Sequence, residues 1–232
     1  MIVIGIGGLA RSGKDTFVGI AKNILKRNGY TPVRIAFADR LKEEVTKMLE
    51  SNNFQASVYT EDSAAKSLIR PLLVWWGCQR RYESEGGLYW VNTADEHMKN
   101  HRGAAHHNYI EDDKLVFLVS DVRFVNEAKW VHESWDGVVI HLKRYVHEWH
   151  KCGQDGSDEC QVKVFDPAPN EEEAKNDPLV QELADHRVEW ESKKKMTAAE
   201  AMEDPYLQNI VLNTLNNTKF FKLDSPVIGT LS

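Results

Sequence analysis

The residues from Ile2 to Thr16 restrict what this chain can fold into more than any other stretch. An apolar run, Ile2–Ile6, feeds Gly8-Leu9-Ala10-Arg11-Ser12-Gly13-Lys14-Asp15-Thr16, and apolar residues at helical spacing follow. The run reads as a first buried parallel strand that turns into a helix, and G-x-x-x-x-G-K at that turn is the pattern of a phosphate-binding loop. Glycine lets the loop curl with its amides pointing inward, where a side chain would block the anion or the backbone angles. Gly8, Arg11, Ser12 and Gly13 then offer N–H groups to phosphate oxygens. The helix opening near Gly13 aims its positive dipole end at the same anion, and Lys14 reaches the outer phosphates as a point charge.

One letter departs from the usual pattern. After Lys14 comes Asp15, where Ser or Thr normally gives a hydroxyl to magnesium. The carboxylate reads as a metal-site residue, acting directly or through a coordinated water. The competing reading is a helix cap that favours the N-terminal dipole. Thr16 can still donate its hydroxyl to an inner phosphate.

A chain of 232 residues has room for one α/β core with insertions. A single domain over residues 1–232 is expected, with its core at about 1–40, 110–144 and 205–232. An insertion at about 40–108 and a lid or flap at about 145–200 complete it. The net charge of −6 argues against non-specific nucleic-acid binding, so small anions must be met by local basic clusters. Cys78, Cys152 and Cys160 are too few for a disulfide framework, and no signal-like segment precedes the first strand, so a cytoplasmic location is expected. The longest apolar runs, such as Leu115–Val119, are strand-sized and predict no membrane span.

Along the chain, a helix from about Thr16 to Arg27 stops at Asn28-Gly29, and residues 33–38 read as a second buried strand. Asp39 is expected to cap a helix with Leu41, Val45, Met48 and Leu49 on one face. A helix over residues 67–77 is expected to become regular only near Pro71, with Arg80 and Arg81 just past its end. Another helix is predicted from Leu88 to Met98, then a loop over residues 101–113 whose His101, His106 and His107 are solvated. Leu115–Val119 is the clearest central strand; a helix follows through Trp130, and residues 137–142 make another strand. Residues 145–195 turn polar and acidic and read as an insertion or mobile flap, and residues 209–213 as an edge strand.

Asp121 stands at the carboxyl end of the central strand, where open α/β sheets place their ligands and where an acidic residue can hold magnesium through water. Arg123 lies two residues on, and its planar fork suits phosphate oxygens. Asp121 could instead cap the next helix. Arg40, Lys42, Arg80 and Arg81 lie in the region where small kinases hold an acceptor phosphate, although paired basic residues are often merely solvated. Trp75, Trp76, Tyr89 and Trp90 could stack on a base or pack in a core. In the flap, His147-x-x-His150-x-Cys152 with Cys160 could ligate zinc, but there is no C-x-x-C knuckle and zinc is not expected.

Taken together, Gly8–Thr16 with its Gly-Lys-Asp-Thr ending, Phe37–Glu43, Leu72–Arg81 with Trp-Gly-x-x-Arg-Arg, Tyr89-Trp90-Val91 and Ser120–Ala128 resemble the phage deoxynucleoside monophosphate kinases. Order and approximate spacing match over residues 1–144, with a fainter echo in His186-x-x-Glu189 and Ile210–Asn213. The resemblance implies a three-layer P-loop fold of the nucleoside monophosphate kinase type, with a parallel sheet, an acceptor-binding insertion and a lid. It implies ATP-dependent conversion of dNMP to dNDP with Mg²⁺, and a family that looks as if it uses Gly-Lys-Asp-Thr, which would make Asp15 regular. A lid should bring basic residues over the phosphates, and Arg144 and Arg187 are the candidates in a mostly acidic region. The expected partners are ATP and a dNMP, with neither nucleic acid nor membrane, and a homodimer as a candidate assembly. Alternatives are a phosphomevalonate kinase of the animal type, which also carries Gly-Lys-Asp, a dephospho-coenzyme A kinase, or a non-catalytic nucleotide-binding module.

Overall fold

A computed structural model describes residues 1–60, 62–152, 158–192 and 196–224. The chain divides into two compact units, residues 1–34 with 112–232, and residues 35–111.

In the first unit, β1 (Ile2–Gly7) is central: Val3, Ile4 and Ile6 are fully buried, as a parallel strand covered on both faces must be. The loop then opens α1 (Lys14–Arg27), and β2 (Thr31–Ile35) follows. After the second unit the chain returns as β3 (Leu115–Val122), α5 (Val125–Trp135) and β4 (Val138–Cys152). The remainder forms β5 (Asp158–Phe165), α6 (Glu171–Leu183), β6 (His186–Glu191), α7 (Ala198–Glu203) and α8 (Pro205–Asn217). The sheet runs β2-β3-β1-β4-β5, with β6 also on β4. β1 is parallel to β3 and β4, and β6 is parallel to β4. Only the β4–β5 hairpin is antiparallel among these pairings, so the expected parallel sheet becomes a mixed one.

Alternation along β1 sends its side chains to two helical layers. Ile4 and Ile6 pack with Phe17 and Ile20 of α1 and Val211 and Leu215 of α8. On the other face, Gly5 lies under Val131 of α5, whose Cγ2 would sit 3.2 Å from an added Cβ.

Three expectations change in this unit. Residues 209–213 are helix rather than edge strand: Asp204 caps by accepting from Leu207 N at 3.0 Å, Pro205 opens the helix, and Leu207, Val211, Leu212 and Leu215 form its buried face. Within residues 145–195, expected as a mobile flap, β4 runs on to Cys152 against β5, α6 packs, and β6 joins the sheet. Residues 153–157 and 193–195 lie outside the described part. Asp15 is not the cap of α1: Gly13 holds that position at φ 92°, and Asp15 is exposed in the first turn.

The second unit is helical, with α2 (Phe37–Ser51), α3 (Ser63–Glu83) and α4 (Tyr89–His107) around Val45, Leu49, Val58 and Ile69. The residue before α2 is Ala36, so Asp39 sits inside the first turn instead of capping, and residues 37–38 leave the predicted strand. α3 starts at its Asp62 cap, which accepts from Ala65 N at 2.8 Å, and runs through Pro71, so Arg80 and Arg81 lie in its last turn. α4 continues through the stretch expected as a loop, carrying His101, His106 and His107 on a helix. Among the described residues, no helix is long and apolar enough to cross a membrane.

Candidate phosphate-binding site

The loop after β1 is built by tight packing. A Cβ on Gly8, at φ 127°, would come within 2.3 Å of Leu142 O, and one on Gly13 within 2.4 Å of the Trp190 ring. Both positions therefore need glycine for space as well as for backbone angle. Arg11 adopts φ 67°, and Ser12 N donates to Leu9 O at 3.1 Å, closing the curl. Trp190 of β6 backs the loop: its Nε1 donates to Ser12 O at 2.9 Å and its ring lies 6.2 Å from Phe17.

Lys14 is 8% exposed, and its Nζ donates to Gly8 O at 2.8 Å and Leu9 O at 2.7 Å. Burial lowers its pKa from 10.5 to about 8, helped by the Arg123 charge and opposed by Glu173, Asp121 and Asp15 in that order. These groups converge through sheet register, since Gly7 pairs with Val122 and so sets Asp121 and Arg123 beside the loop. The turn that holds Arg123 is fixed by buried Glu127, which accepts from Arg123 N at 2.8 Å and Phe124 N at 3.1 Å. Gly7 also pairs with His141, which is buried and bonded through Nε2 to Asp177 Oδ1 at 2.9 Å.

The depressed lysine carries a pH dependence whose sign is set. Between about pH 8 and 10.5 the unfolded chain binds the proton that the folded protein has released, so this group's contribution to stability rises with pH there. The whole change is about 3 kcal/mol, at about 1.4 kcal/mol per unit. An anion in the loop favours the charged lysine, so its binding takes up a proton above about pH 8 and affinity falls by up to tenfold per pH unit. Calorimetry of pyrophosphate binding in buffers of different ionisation heat checks this; binding without proton uptake near pH 9 would contradict it.

The other expected residues fall into distinct places. Arg144 and the loop residues Leu9, Ala10 and Ser12 line one cavity of about 120 Å³ together with Phe165 and Asp177. Arg144 Nη2 pairs with Asp166 at 2.7 Å. Arg187 is not on this cavity: it is exposed and donates through Nε to Gln181 O at 3.1 Å. Thr16, behind Asp15, is half-buried in the first turn of α1.

In the second unit Arg40 and Arg80 converge on Glu44, at 4.0 and 3.2 Å. Glu44 also accepts from Tyr89 Oη at 2.5 Å and Trp76 Nε1 at 2.9 Å. Burial would push this carboxyl up, but the hydrogen bonds from Tyr89 and Trp76 and the Arg80 charge hold it below its usual range. Arg80 also lies over the Trp76 and Tyr89 rings, at 5.1 and 5.0 Å. The aromatics expected as a core or a stacking platform thus divide: Trp90 is buried, Trp76 and Tyr89 sandwich Arg80, and Trp75 is exposed. Lys42 lies 5.7 Å from the centre of Tyr59, and Arg81 is half-buried in the last turn of α3. Arg40 borders a separate cavity of about 190 Å³ with Asp39, Glu43, His97 and Asn100.

Among the described residues, no group of three or more His, Cys, Asp or Glu side chains is placed to hold a metal ion. Sequence reasoning overlooked Glu173, Asp177 and Trp190. Asn170-x-x-Glu173 is a helix-start signal that marks α6, but nothing local says that its carboxylate meets the loop.

No protein-family model matches the chain, and no curated protein does. Among solved structures, the chain is similar to the shikimate kinase of Aquifex aeolicus at 12% identity and a TM-score of 0.30, over 92% of this chain and 99% of that one.

Proposed function

We propose that this protein is an ATP-dependent phosphotransferase whose acceptor is itself a small phosphate ester, a deoxynucleoside monophosphate. The observation that carries the reading is the convergence on one strand end of Lys14, Asp121 and Arg123, with Gly7 and Val122 in register. A loop serving only as a turn would have no use for a buried cation at 8% exposure. The buried Ser12 Oγ, without a hydrogen-bond partner among the described residues, adds a polar atom ready for a ligand.

In this reading the loop amides and Lys14 hold the donor's outer phosphates, and Arg123 neutralises charge on the transferred group. Asp15 and Asp121 are the residues that would hold Mg²⁺; both bear electrostatically on Lys14, which suits a shared cation site. Magnesium held there would offset the negative charge of the donor phosphates. In the second unit Arg40, Lys42, Arg80 and Arg81 are the residues assigned to an acceptor phosphate; in the first unit Arg144 borders the loop cavity. The acceptor phosphate is already a dianion near neutral pH. Positioning and charge neutralisation therefore carry the rate, and no strong protein base is required.

A coupled ADP-release assay over a panel of dNMPs, NMPs, phosphomevalonate and dephospho-coenzyme A tests this. The expected result is ADP release that depends on Mg²⁺ and on a dNMP. Release driven by phosphomevalonate or dephospho-coenzyme A instead would transfer the reading to that kinase class. Silence with every acceptor, despite ATP binding, would leave a nucleotide-binding module.

A further inference from the structure

Helix α6 begins Glu171-Glu172-Glu173, and its third carboxylate does not face water. Glu173 is 9% exposed. Its Oε2 accepts from the loop amide Ala10 N at 2.8 Å, and its Oε1 accepts from Arg123 Nη1 at 3.0 Å and Asn170 Nδ2 at 3.3 Å. A loop amide, the Arg123 guanidinium and the nearby Lys14 charge are the donors that the functional reading assigns to phosphate. Of the carboxylates acting on Lys14, Glu173 contributes most. From these contacts we propose that Glu173 is a built-in occupant of the phosphate seat, and that donor phosphate binds by displacing it and releasing the N-terminal turn of α6 from the loop. The inference rests on the phosphate-binding reading of the loop.

The rest of α6 explains how the carboxylate is held there. Glu173, Asp177 and Val180 follow one helical stripe at spacings of four and three. Asp177 bonds His141 Nε2 at 2.9 Å, and Val180 Cγ1 lies 3.0 Å from the place of a Cβ on Gly7. Asn170 caps the helix by accepting from Glu173 N at 2.8 Å. The helix thus stays seated at the end of β1 through Asp177 and Val180 when Glu173 lets go. A single carboxylate offers one charge and two oxygens; a polyphosphate offers more of both and replaces it on the same donors. Until then the seat is neutralised, so the loop does not present bare positive charge.

Calorimetric titration of wild type, Glu173→Gln and Glu173→Ala with pyrophosphate, and separately with ATP and Mg²⁺, tests the proposal. Loss of a charge-assisted competitor should tighten pyrophosphate binding by at least about tenfold in both variants. Hydrogen exchange on the wild-type protein gives a second measurement that needs no variant: residues at the start of α6 should exchange faster once pyrophosphate saturates the loop. Unchanged or weaker pyrophosphate binding in both variants, while wild type binds, would overturn the displacement and leave the loop reading standing. So would slower exchange in α6 on ligand addition. Weaker binding confined to Mg²⁺-ATP would make Glu173 a metal-site residue and also overturn it. If neither wild type nor variant binds pyrophosphate or ATP, the loop reading falls and takes the displacement with it.

Discussion

Lys14→Met is expected to lower phosphoryl-transfer turnover by about two to three orders of magnitude, the loss typical of removing one preorganised donor to developing charge. Methionine keeps the length of the stem, so packing of the buried side chain is retained and only the ammonium is lost. Stability should change little, because two terms of similar size oppose each other. Near neutral pH the wild-type protein bears a net cost of about 3 kcal/mol for keeping this group charged, from a pKa lowered from 10.5 to about 8. Against it, the Gly8 and Leu9 carbonyls lose a donor, at about 1–3 kcal/mol for each that water does not reach. ADP release measures the first quantity and urea denaturation the second. Near-wild-type turnover in a folded variant would remove Lys14 from the reaction.

Trp190→Ala should be the most destabilising single change at the site, by about 3–5 kcal/mol, the usual range for deleting a buried indole. The loss has a functional side. Trp190 is the wall against which Gly13 fits and the donor that fixes Ser12 O, so without it the loop loses its curvature. Nucleotide binding should fail in the Ala variant even at temperatures where it remains folded. Trp190→Phe keeps ring contact with Phe17 and loses one hydrogen bond, about 1 kcal/mol, and so should retain binding. Urea midpoints for the pair, with calorimetry against ATP, give the comparison. An Ala variant within about 1 kcal/mol of wild type would show that the wall is dispensable.

The legible parts of this chain share one property, which is that neighbours in sequence settle them. Strand, glycine loop and helix appear between Ile2 and Arg27 because periodicity and the needs of a curled loop are local. The placement of Asp121 and Arg123 beside the loop follows from the strand pattern, since both stand at the carboxyl end of β3 and Gly7 pairs with Val122. Short apolar runs were not legible: Ile210-Val211-Leu212 suits a strand or one turn of a buried helix, and only Asp204-Pro205 ahead of it favoured the helix. The polar stretch at residues 101–107 hid a helix because its exposed face obscures the periodicity, with Ala105 its one buried residue.

The candidate site follows the same division. Gly8, Gly13, Lys14 and the Asp15 that replaces the usual hydroxyl are written into consecutive positions, because cradling an anion is a matter of local backbone shape and one reaching charge. The contacts of that cradle come from far along the chain: the Glu173 carboxylate on Ala10 N from 163 positions away, and the Trp190 indole on Ser12 O from 178. Neither residue belongs to a phosphate-binding motif, and each is placed by a sheet whose β4 continues past the core to bring α6 and β6 back beside β1. Side-chain chemistry within a dozen residues said that this loop would hold an anion. Folding of the whole first unit supplied an anion of its own to hold there.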